Sequence, residues 1–394
     1  MKKYTYVSCI IISIICLLTG CTSKEESYKK GSITDIKEEY DTFEYKGNNF
    51  QIENEKIAVP DVNKIYSVEF DVNSKDATEI EECFIQNLKK LMSTDDVNTN
   101  NINYYLPNSK NGSYTIVPMK EATSDVKNNR NAYLIYFDGK YQEILYKTSM
   151  MCELGCNIVP KKYSENIDFS SMWTHIGLDL GTEEDSYNVL DEDISDVKYN
   201  LSDGEYYMSD AIKYVEKHIK DDYYFVGSEI LDYSVYQTAV RKLADGIYYY
   251  QFKVKATYKG VSLNKDEAIY DNTNLNGESH IVSVFTKDSI GYIWSCCHSY
   301  QKVKQQKAVN DLISLKEACS IVEKELTSKM AFNIDSMEML YLTEFKYDKD
   351  DISVESVKCI PCYHFYVSNP GLAGYSTLCF DVNAMTGKFL VGRQ

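Results

Sequence analysis

Apolar and polar residues alternate along many short stretches of this chain, which predicts a protein built mostly of half-buried strands. Residues 77–92 depart from this alternation. They carry apolar side chains at helical spacing, so we expect a helix with one buried face. Residues 132–147 form two aromatic and β-branched runs around Asp138 and Gly139, a pair that favours a hairpin turn. The pattern predicts an α+β fold class that begins with a mixed α/β region.

A repeat in the second half of the chain predicts two related helices. Residues 211–219 (AIKYVEKHI) match residues 318–326 (ACSIVEKEL) at a constant offset of 318 − 211 = 107. Each helix places its apolar residues on one face, and Ser314 with Glu317 predicts a capping box for the second. The two apolar stripes are Met208, Ala211, Ile212, Val215 and Ile219, and Leu315, Ala318, Cys319, Val322 and Leu326.

Similar strands follow both helices. Residues 250–254 (YQFKV) resemble residues 363–367 (YHFYV), and each stretch alternates like a half-buried strand. A strand pair with glycine at its turn follows in both cases. We therefore expect two tandem helix-plus-antiparallel-sheet units, unit 1 at residues 201–300 and unit 2 at residues 301–394. A third, degenerate copy is left open as an alternative. It would consist of the helix at residues 77–92 and the hairpin at residues 132–147.

The composition of the remaining residues predicts a tether, an N-terminal domain and a linker. Residues 21–49 are polar, charged and poor in aliphatic side chains, so we expect a flexible tether there. An N-terminal α+β domain is expected at residues 50–180. Residues 181–200 are expected to form an acidic linker, because seven carboxylates lie between positions 181 and 196. This run lacks the ligand spacing and central glycine of an EF-hand, so weak calcium binding is the alternative rather than the preferred interpretation.

The N-terminus has the pattern of an export signal. Lys2 and Lys3 precede an apolar run over residues 7–18, which is shorter than a membrane span. The segment ends in LTGC and resembles the lipobox of bacterial lipoproteins, in which small residues precede an invariant cysteine. The resemblance implies that residues 1–20 are a lipoprotein signal peptide and that Cys21 is lipidated. An uncleaved N-terminal anchor is the alternative.

Charge and aromatic content narrow the classes of partner. The formal net charge is −17, and a chain this acidic repels nucleic acid and anionic lipid headgroups. Thirty-five tyrosines against two tryptophans fit a strand-rich protein, since tyrosine is a good strand residue. The alternative is a tyrosine-lined surface for a glycan or small ligand. Its candidate is the run Tyr248, Tyr249 and Tyr250, of which alternation leaves Tyr249 outside the core.

Candidate chemistry is concentrated in residues 356–367 (SVKCIPCYHFYV). Cys359 and Cys362 have the spacing of a dithiol motif, and His364 follows them. A dithiol catalyst places its first cysteine at a helix N-terminus, where the helix dipole lowers the thiol pKa. Here the motif runs into an alternating strand, and Pro361 fits the start of that strand because it cannot donate to a ladder. A thiol-dependent enzyme is therefore the weakest functional interpretation.

The strand interpretation predicts a register. A connecting loop at residues 369–374 places His364 opposite Cys379 and Cys362 near Asp381, with opposed Cβ atoms about 5 Å apart. Three possibilities stay open: a small metal site, a disulfide bond, or reduced thiols in ordinary packing. Elemental analysis and a count of reactive thiols in the intact, non-reduced protein separate them. The candidate residues are Cys359, Cys362, His364 and Cys379.

The end of unit 2 carries the segment FDVNAMTGKF, residues 380–389. It resembles the closing segment of PepSY-type domains, in which a strand and an acidic residue precede Ala and Thr-Gly before the last strand. The chain also resembles the extracytoplasmic Yyc regulatory proteins and surface lipoproteins of unassigned role from low-GC Gram-positive bacteria. These resemblances imply a non-enzymatic module on the outer face of the cytoplasmic membrane that binds or inhibits another protein.

Catalytic signatures are otherwise missing from the sequence. It contains no nucleophile elbow, phosphate loop, dinucleotide fingerprint or His-Glu-x-x-His zinc helix. The sequence therefore favours a lipid-anchored, non-catalytic protein without a cofactor, which binds an envelope protein or peptide as a regulatory, inhibitory or scaffolding module. Glycan or small-ligand binding is the second interpretation.

Overall fold

Two large, mainly antiparallel sheets hold most strands of the protein. Over the described residues the fold is α+β and mostly sheet, which confirms the predicted class. No helix of the described residues is long and apolar enough to cross a membrane. The computed structural model describes residues 28–72, 77–92, 95–108, 113–129, 132–137, 142–147, 152–157, 181–189, 193–221, 230–243, 245–264, 268–270, 273–275, 279–287, 289–297, 300–326, 333–347, 354–368 and 378–393.

The helix predicted at residues 77–92 has those bounds, and it is one of five α-helices in the described residues. The α-helices are α1 (Ile33–Tyr40), α2 (Ala77–Met92), α3 (Ser124–Lys127), α4 (Met208–Asp221) and α5 (Leu315–Glu325). Single 3-10 turns lie at Asn54–Lys56, Thr99–Asn101 and Met119–Glu121.

The strands fall into an N-terminal group and a C-terminal group. The N-terminal strands are β1 (Lys30–Gly31), β2 (Glu44–Lys46), β3 (Gln51–Glu53), β4 (Ile57–Ala58), β5 (Ile65–Val72), β6 (Ile102–Pro107), β7 (Tyr114–Pro118), β8 (Tyr133–Phe137), β9 (Gln142–Lys147), β10 (Cys152–Asn157) and β11 (Thr182–Asn188). The others are β12 (Lys198–Leu201), β13 (Gly204–Tyr207), β14 (Asp232–Lys242), β15 (Tyr248–Tyr258), β16 (Val261–Ser262), β17 (Ala268–Tyr270), β18 (Thr273–Leu275), β19 (Ser279–Thr286), β20 (Ser289–Cys297), β21 (Tyr300–Val309), β22 (Leu312–Ile313), β23 (Asn333–Tyr347), β24 (Val354–Ser368), β25 (Leu378–Asn383) and β26 (Phe389–Arg393).

The first sheet has eleven strands and joins the N-terminal region to unit 1. Its order is β11-β14-β15-β19-β20-β10-β9-β8-β6-β7, with β16 paired to β15 beside this path. The predicted hairpin is confirmed as β8 and β9, although its turn lies outside the described residues. Because β10 pairs directly with β20, the two regions form one continuous sheet.

The second sheet has nine strands and holds unit 2, together with β17 and β18 from the residues assigned to unit 1, so the predicted boundary at residue 300 does not separate the sheets. Its order is β18-β17-β26-β25-β24-β23-β4, and β5 pairs with both β24 and β21. Strands β4 and β5 come from the region assigned to an N-terminal domain at residues 50–180, whereas β6 to β10 lie in the first sheet. That predicted domain is therefore wrong as a separate body, because its strands are shared between two sheets.

Three helices are each followed by four strands that are neighbours in one sheet. Helix α4 precedes β14, β15, β19 and β20, and α5 precedes β23, β24, β25 and β26. Helix α2 precedes β6, β8, β9 and β10, with β7 added at the edge. Every residue of the two predicted apolar stripes is buried, so those stripes are confirmed as the faces that cover the core.

Residues 28–49 are folded, which corrects the predicted tether. Ser32 begins α1 with a capping box: its hydroxyl group accepts the N–H of Asp35 at 3.3 Å, and the Asp35 carboxylate accepts the N–H of Ser32 at 2.6 Å. Ile33 and Ile36 then pack in the main core. Charged residues around these two side chains give the segment a polar composition, which concealed a short amphipathic helix.

Helix α1 also stabilises the start of α5. The Glu39 carboxylate accepts the N–H of Leu315 at 3.0 Å and the N–H of Lys316 at 3.1 Å. The Ser314 hydroxyl group accepts the N–H of Glu317 at 3.2 Å, which confirms Ser314 as the N-cap. Negative charge at a helix N-terminus is stabilising, so the N-terminal segment contributes directly to unit 2.

Part of the predicted acidic linker at residues 181–200 is an edge strand. Strand β11 pairs antiparallel with β14 at the end of the first sheet. Glu183, Glu184 and Asp185 are exposed on it. Charged side chains on an edge strand hinder pairing with a further strand, which gives the acidic run a structural reason within the fold.

Ile36→Ala tests whether the N-terminal segment belongs to the fold. Ile36 is 1 % exposed, so we expect the substitution to lower the free energy of unfolding by about 2–5 kcal/mol. Glu38→Ala, at an exposed position of the same helix, is the matched control and should change it by about 0.5 kcal/mol or less. Urea denaturation measures both. If both substitutions change the free energy of unfolding by a small and equal amount, the segment does not pack on the core and the tether prediction stands.

Candidate functional site

Strand β24 is central in unit 2 and changes neighbours along its length. One side pairs with β23 almost throughout, while the other pairs first with β5 and then, from Cys362 onward, with β25. Pro361 lies at the gap between those two partners, where its missing N–H removes no ladder bond. Its carbonyl accepts the N–H of Ala384 at 2.9 Å. The expected strand start at Pro361 is therefore wrong, and the proline marks an exchange of partners inside the strand.

His364 lies opposite Asp381 rather than opposite Cys379. The ladder between β24 and β25 pairs Cys379 with Tyr366, so the expected register is wrong by two residues. The connection, residues 369–377, is longer than the predicted loop. A shift of two positions keeps every side chain on its predicted face, because side chains alternate along a strand with a period of two.

The two faces of β24 separate the candidate residues. Tyr363 and Phe365 lie in the main core, as predicted, and Cys359 lies there with them. Cys362 and Cys379 lie on the opposite face, in an apolar cluster with Leu340, Leu342 and Leu390. The predicted set is therefore divided, and Cys359 cannot take part in a site with the others.

The second face holds a polar cluster of four buried residues, which we call the His–Asp cluster: Cys362, His364, Cys379 and Asp381. His364 Nδ1 is 2.9 Å from Asp381 Oδ1, and neither side chain is exposed. Cys362 Sγ donates to the same oxygen at 3.4 Å. The Tyr366 ring packs edge-on against the imidazole, with centroids 4.5 Å apart. A carboxylate is thus held by an imidazole and a thiol in apolar surroundings.

Asp381 is the member of the cluster that the sequence candidates lacked. A carboxylate in the alternating strand LCFDVN suggests a solvent-facing position, since half-buried strands place polar residues outward. Asp381 is nevertheless fully buried, because the part of the face that it shares with Leu340, Cys362 and Cys379 is closed to solvent. The sequence contained one sign that this face is buried. Cys379 lies two residues before Asp381, on the same face of the strand, and a cysteine side chain is usually buried.

Burial decides the chemistry of two thiols. It raises the pKa of Cys362 well above its ordinary range, and the neighbouring Asp381 charge acts in the same direction. Burial likewise raises the pKa of Cys319 in α5. Protonated, buried thiols are poor nucleophiles, which disfavours these two residues for the thiol-enzyme interpretation.

The register excludes a disulfide bond between Cys362 and Cys379. They face Asn383 and Tyr366, and 383 − 379 = 4 residues along a strand correspond to about 13 Å. A disulfide requires Cα atoms within about 7 Å. The described cysteine side chains are accordingly reduced thiols at Cys319, Cys359, Cys362 and Cys379.

Other cysteines are placed by their backbone alone or lie outside the described residues. Cys152 is the direct ladder partner of Cys297 between β10 and β20, where Cys296 faces Glu153. Cys21, the predicted lipidation residue, lies outside the described residues. The structure therefore leaves the predicted lipid anchor as a prediction.

Three members of the His–Asp cluster could hold a metal ion. His364, Cys379 and Asp381 each offer one ligand atom, and these atoms lie within 4.8 Å of one another. All three side chains are buried. The metal possibility thus has a geometric basis, with three ligands instead of the predicted four: Asp381 is added, and Cys359 and Cys362 are left out.

Unit 1 has the same strand pairing without this chemistry. Gln251 lies opposite Ser283 between β15 and β19, at the place that His364 and Asp381 occupy between β24 and β25. Both unit 1 residues are buried. The Gln251 amide oxygen accepts the Nε–H of Arg241 at 2.9 Å. The fold of a unit therefore accommodates a neutral polar pair here.

The tyrosine run does not form an exposed aromatic row. Tyr249 is fully buried and stacks on Phe285 with centroids 4.5 Å apart, so its predicted outside position is wrong. Tyr250 lies in the main core, as predicted. A separate groove of about 580 Å³ beside β5 and β21 has lysines such as Lys30 and Lys307 and no aromatic residue in its lining. Neither place offers the stacking surface that glycan binding requires.

Comparison with known proteins bears on the fold alone. No family model matches the chain, and no curated protein matches it. A crystal structure of an uncharacterized protein from Eubacterium rectale is similar, at 11% sequence identity and a TM-score of 0.54. The match covers 91% of this chain and 98% of that chain. The architecture is thus found in a second protein, while the chemistry of the site rests on the residues of this chain.

Removing one partner of the His364–Asp381 pair should cost more than removing both. Asp381→Ser leaves the buried imidazole without its 2.9 Å contact, so we expect the free energy of unfolding to fall by about 3–5 kcal/mol. The double variant H364Q/D381S removes both members of the pair, although Leu340 stands where unit 1 has the Arg241 donor, and it should regain at least about 1 kcal/mol relative to Asp381→Ser. His364→Gln is the second single variant of this double-mutant cycle. Urea denaturation of all four proteins in the presence of a chelator measures their free energies of unfolding. If the loss in the double variant equals the sum of the losses in the two single variants, His364 and Asp381 are not energetically coupled.

Proposed function

We propose that this protein is a lipid-anchored, extracytoplasmic binding protein that holds an extended segment of another envelope protein along strand β7. Its role is regulatory, inhibitory or scaffolding, and it needs no catalytic step. The observation that carries this proposal is the difference between the two edges of the eleven-stranded sheet.

One edge of that sheet carries charge and the other does not. Strand β11 exposes Glu183, Glu184 and Asp185, and such residues hinder the addition of a strand. Strand β7 (YTIVP) has no charged residue, and its Ile116 is 55% exposed. An uncharged, apolar edge strand accepts a partner strand readily, which is the mode of recognition called β-augmentation.

Hydrogen-bonded and non-hydrogen-bonded pairs alternate between β6 and β7, so some backbone groups of β7 point away from β6. The Asn108 N–H donates to the Ser113 carbonyl at 2.7 Å, and hydrogen-bonded pairs alternate along an antiparallel ladder. Tyr114 and Ile116 fall on the other positions, so their N–H and C=O groups point away from β6. Pro118 takes the next such position, as expected of proline on an edge strand.

Aromatic side chains support one face of this edge. The Tyr114 ring lies between the rings of Tyr105 and Tyr133, with centroids 6.2 and 6.0 Å apart. Ile116 is the ladder partner of Tyr105 and so lies on the same face. A bound segment would bury Ile116 against Tyr105 while its backbone bonds to β7. Apolar side chains alternating along the partner would give specificity.

The lipid anchor and location rest on the sequence. The lipobox-like ending at Cys21 supports an anchored chain on the outer face of the cytoplasmic membrane. The net charge of −17 argues against attraction to anionic headgroups, so attachment would depend on the lipid. A binding protein held beside the membrane meets membrane-bound partners at high effective concentration.

Site-specific crosslinking tests the edge. A photoreactive residue replaces Ile116 in one variant and Glu184, on the opposite edge, in a matched control, and both are irradiated in intact cells. We expect position 116 to give a discrete protein adduct and position 184 none. An I116K variant should lower the yield from a photoreactive residue at Tyr114 at least about tenfold, because charge on an edge opposes strand addition. Equal adducts from both edges would contradict the proposal.

Cys21→Ser tests the anchor. Without a thiol to carry the lipid, we expect the protein to leave the membrane fraction, and fatty-acid labelling seen in the unmodified chain to disappear. Cys319→Ser, which changes a buried thiol in α5, is the control and should keep both properties. Labelling that persists in the Cys21→Ser chain would rule out this cysteine as the lipidated residue.

A further inference from the structure

The His–Asp cluster has the composition of a metal centre, and we propose that His364, Asp381 and Cys379 bind one zinc-like divalent transition-metal ion. Their potential ligand atoms lie within 4.8 Å of one another, and all three side chains are buried. This site is independent of the β7 edge, and it revises the sequence-based expectation of a protein without a cofactor.

The donor set selects the class of ion. One imidazole nitrogen, one thiolate and one carboxylate oxygen are the donors that zinc takes in proteins, at about 2.0–2.3 Å. Magnesium and calcium prefer oxygen donors throughout, so a thiol and an imidazole select against them. Three protein ligands leave a fourth tetrahedral position for a water molecule or another small ligand.

The register assigns different roles to the two thiols. Cys379 is adjacent to Asp381 on the same face of β25, whereas Cys362 lies two residues before His364 on β24. Their Cα atoms are about 13 Å apart along the ladder, too far for both to bind one ion through bonds of about 2.3 Å. Cys362 instead donates to Asp381 Oδ1 at 3.4 Å. It is a positioning residue that orients the carboxylate.

Unit 1 shows that packing alone does not require these residues. Gln251 and Ser283 occupy the ladder positions of His364 and Asp381. Ile281, two residues before Ser283, takes the place of Cys379. The same pairing of strands thus closes without an imidazole, a carboxylate or a thiol at these positions, with Arg241 as the donor to Gln251. Burying a carboxylate beside an imidazole is costly unless both are well compensated, and a bound cation supplies that compensation.

The burial of the ligands determines how the ion must enter. With all three side chains buried, exchange in the folded protein requires local opening of the sheet, so metal is best supplied during folding. The test therefore begins from the purified full chain, unfolded under reducing conditions with a chelator and refolded without oxygen in the presence of Co²⁺. Cobalt reports thiolate ligation through a charge-transfer absorption band.

The two thiols provide matched variants. We expect the unmodified chain to bind one equivalent of Co²⁺ with a thiolate charge-transfer band, and Cys379→Ser to lose that band. Cys362→Ser should keep the band with about tenfold weaker binding, the loss typical of residues that orient a ligand. Cys319→Ser, at a buried thiol outside the cluster, should match the unmodified chain.

Stability separates loss of metal from loss of folding. Zn²⁺ during refolding should raise the Tm of the unmodified chain and of Cys319→Ser, but not that of Cys379→Ser, with circular dichroism confirming that each has folded. If Cys379→Ser does not fold, H364Q/D381S serves in its place and should also lose the band. The proposal is overturned if the refolded unmodified chain binds no cobalt, or if Cys362→Ser rather than Cys379→Ser abolishes the band.

Discussion

The exchange of partners along β24 is the constraint on which the rest of the structure depends. One side of this fifteen-residue strand pairs with β23, while the other passes from β5 to β25 at Pro361. The first half therefore joins an N-terminal strand to unit 2, and the second half forms the ladder that brings His364 to Asp381. A proline lacks the N–H that a continuous partner would need, so it fits where no partner strand is present.

This constraint explains why the chain does not divide at its sequence boundaries. The N-terminal segment supplies α1 and β5 to unit 2, and the next strands extend the sheet of unit 1 through β10. Local patterns describe helices and strands well, because an apolar stripe or an alternating run is a property of adjacent residues. The partner that a strand takes depends on distant residues, and no local pattern specified that β5 would pair with β24.

The sequence predicted the main features of the fold more completely than the site. The two stripes, the helix at residues 77–92, the hairpin at residues 132–147 and the core face of β24 follow from periodicity, which fixes the face of a side chain. Register also depends on the length of the connection, so His364 was assigned to the wrong neighbour. Asp381 was placed near Cys362 but not counted among the candidate residues, because the polarity of a strand residue does not reveal that its part of the face is buried.

The two proposals concern different sheets of the molecule and rest on different physical interactions. At β7, an exposed edge offers backbone groups and an apolar face to a partner. In unit 2, a buried cluster gathers donors that a repeat of the same fold replaces with glutamine, serine and isoleucine. The two helices, α4 and α5, are followed by the same order of four strands, so the difference at these ladder positions is chemical. A bound ion would stabilise unit 2 against unfolding, since ligand binding to the folded state adds to its stability.

A crystal structure of the protein refolded with zinc, with anomalous data at the zinc absorption edge, is the most direct test of the register and of the metal site. It reports the register of β24 against β25 and the position of any ion in one measurement. We predict His364 opposite Asp381 and a single anomalous peak bonded to His364, Asp381 and Cys379, away from Cys362. A peak bonded to Cys362, or the same direct His364–Asp381 contact with no anomalous peak, would contradict this prediction.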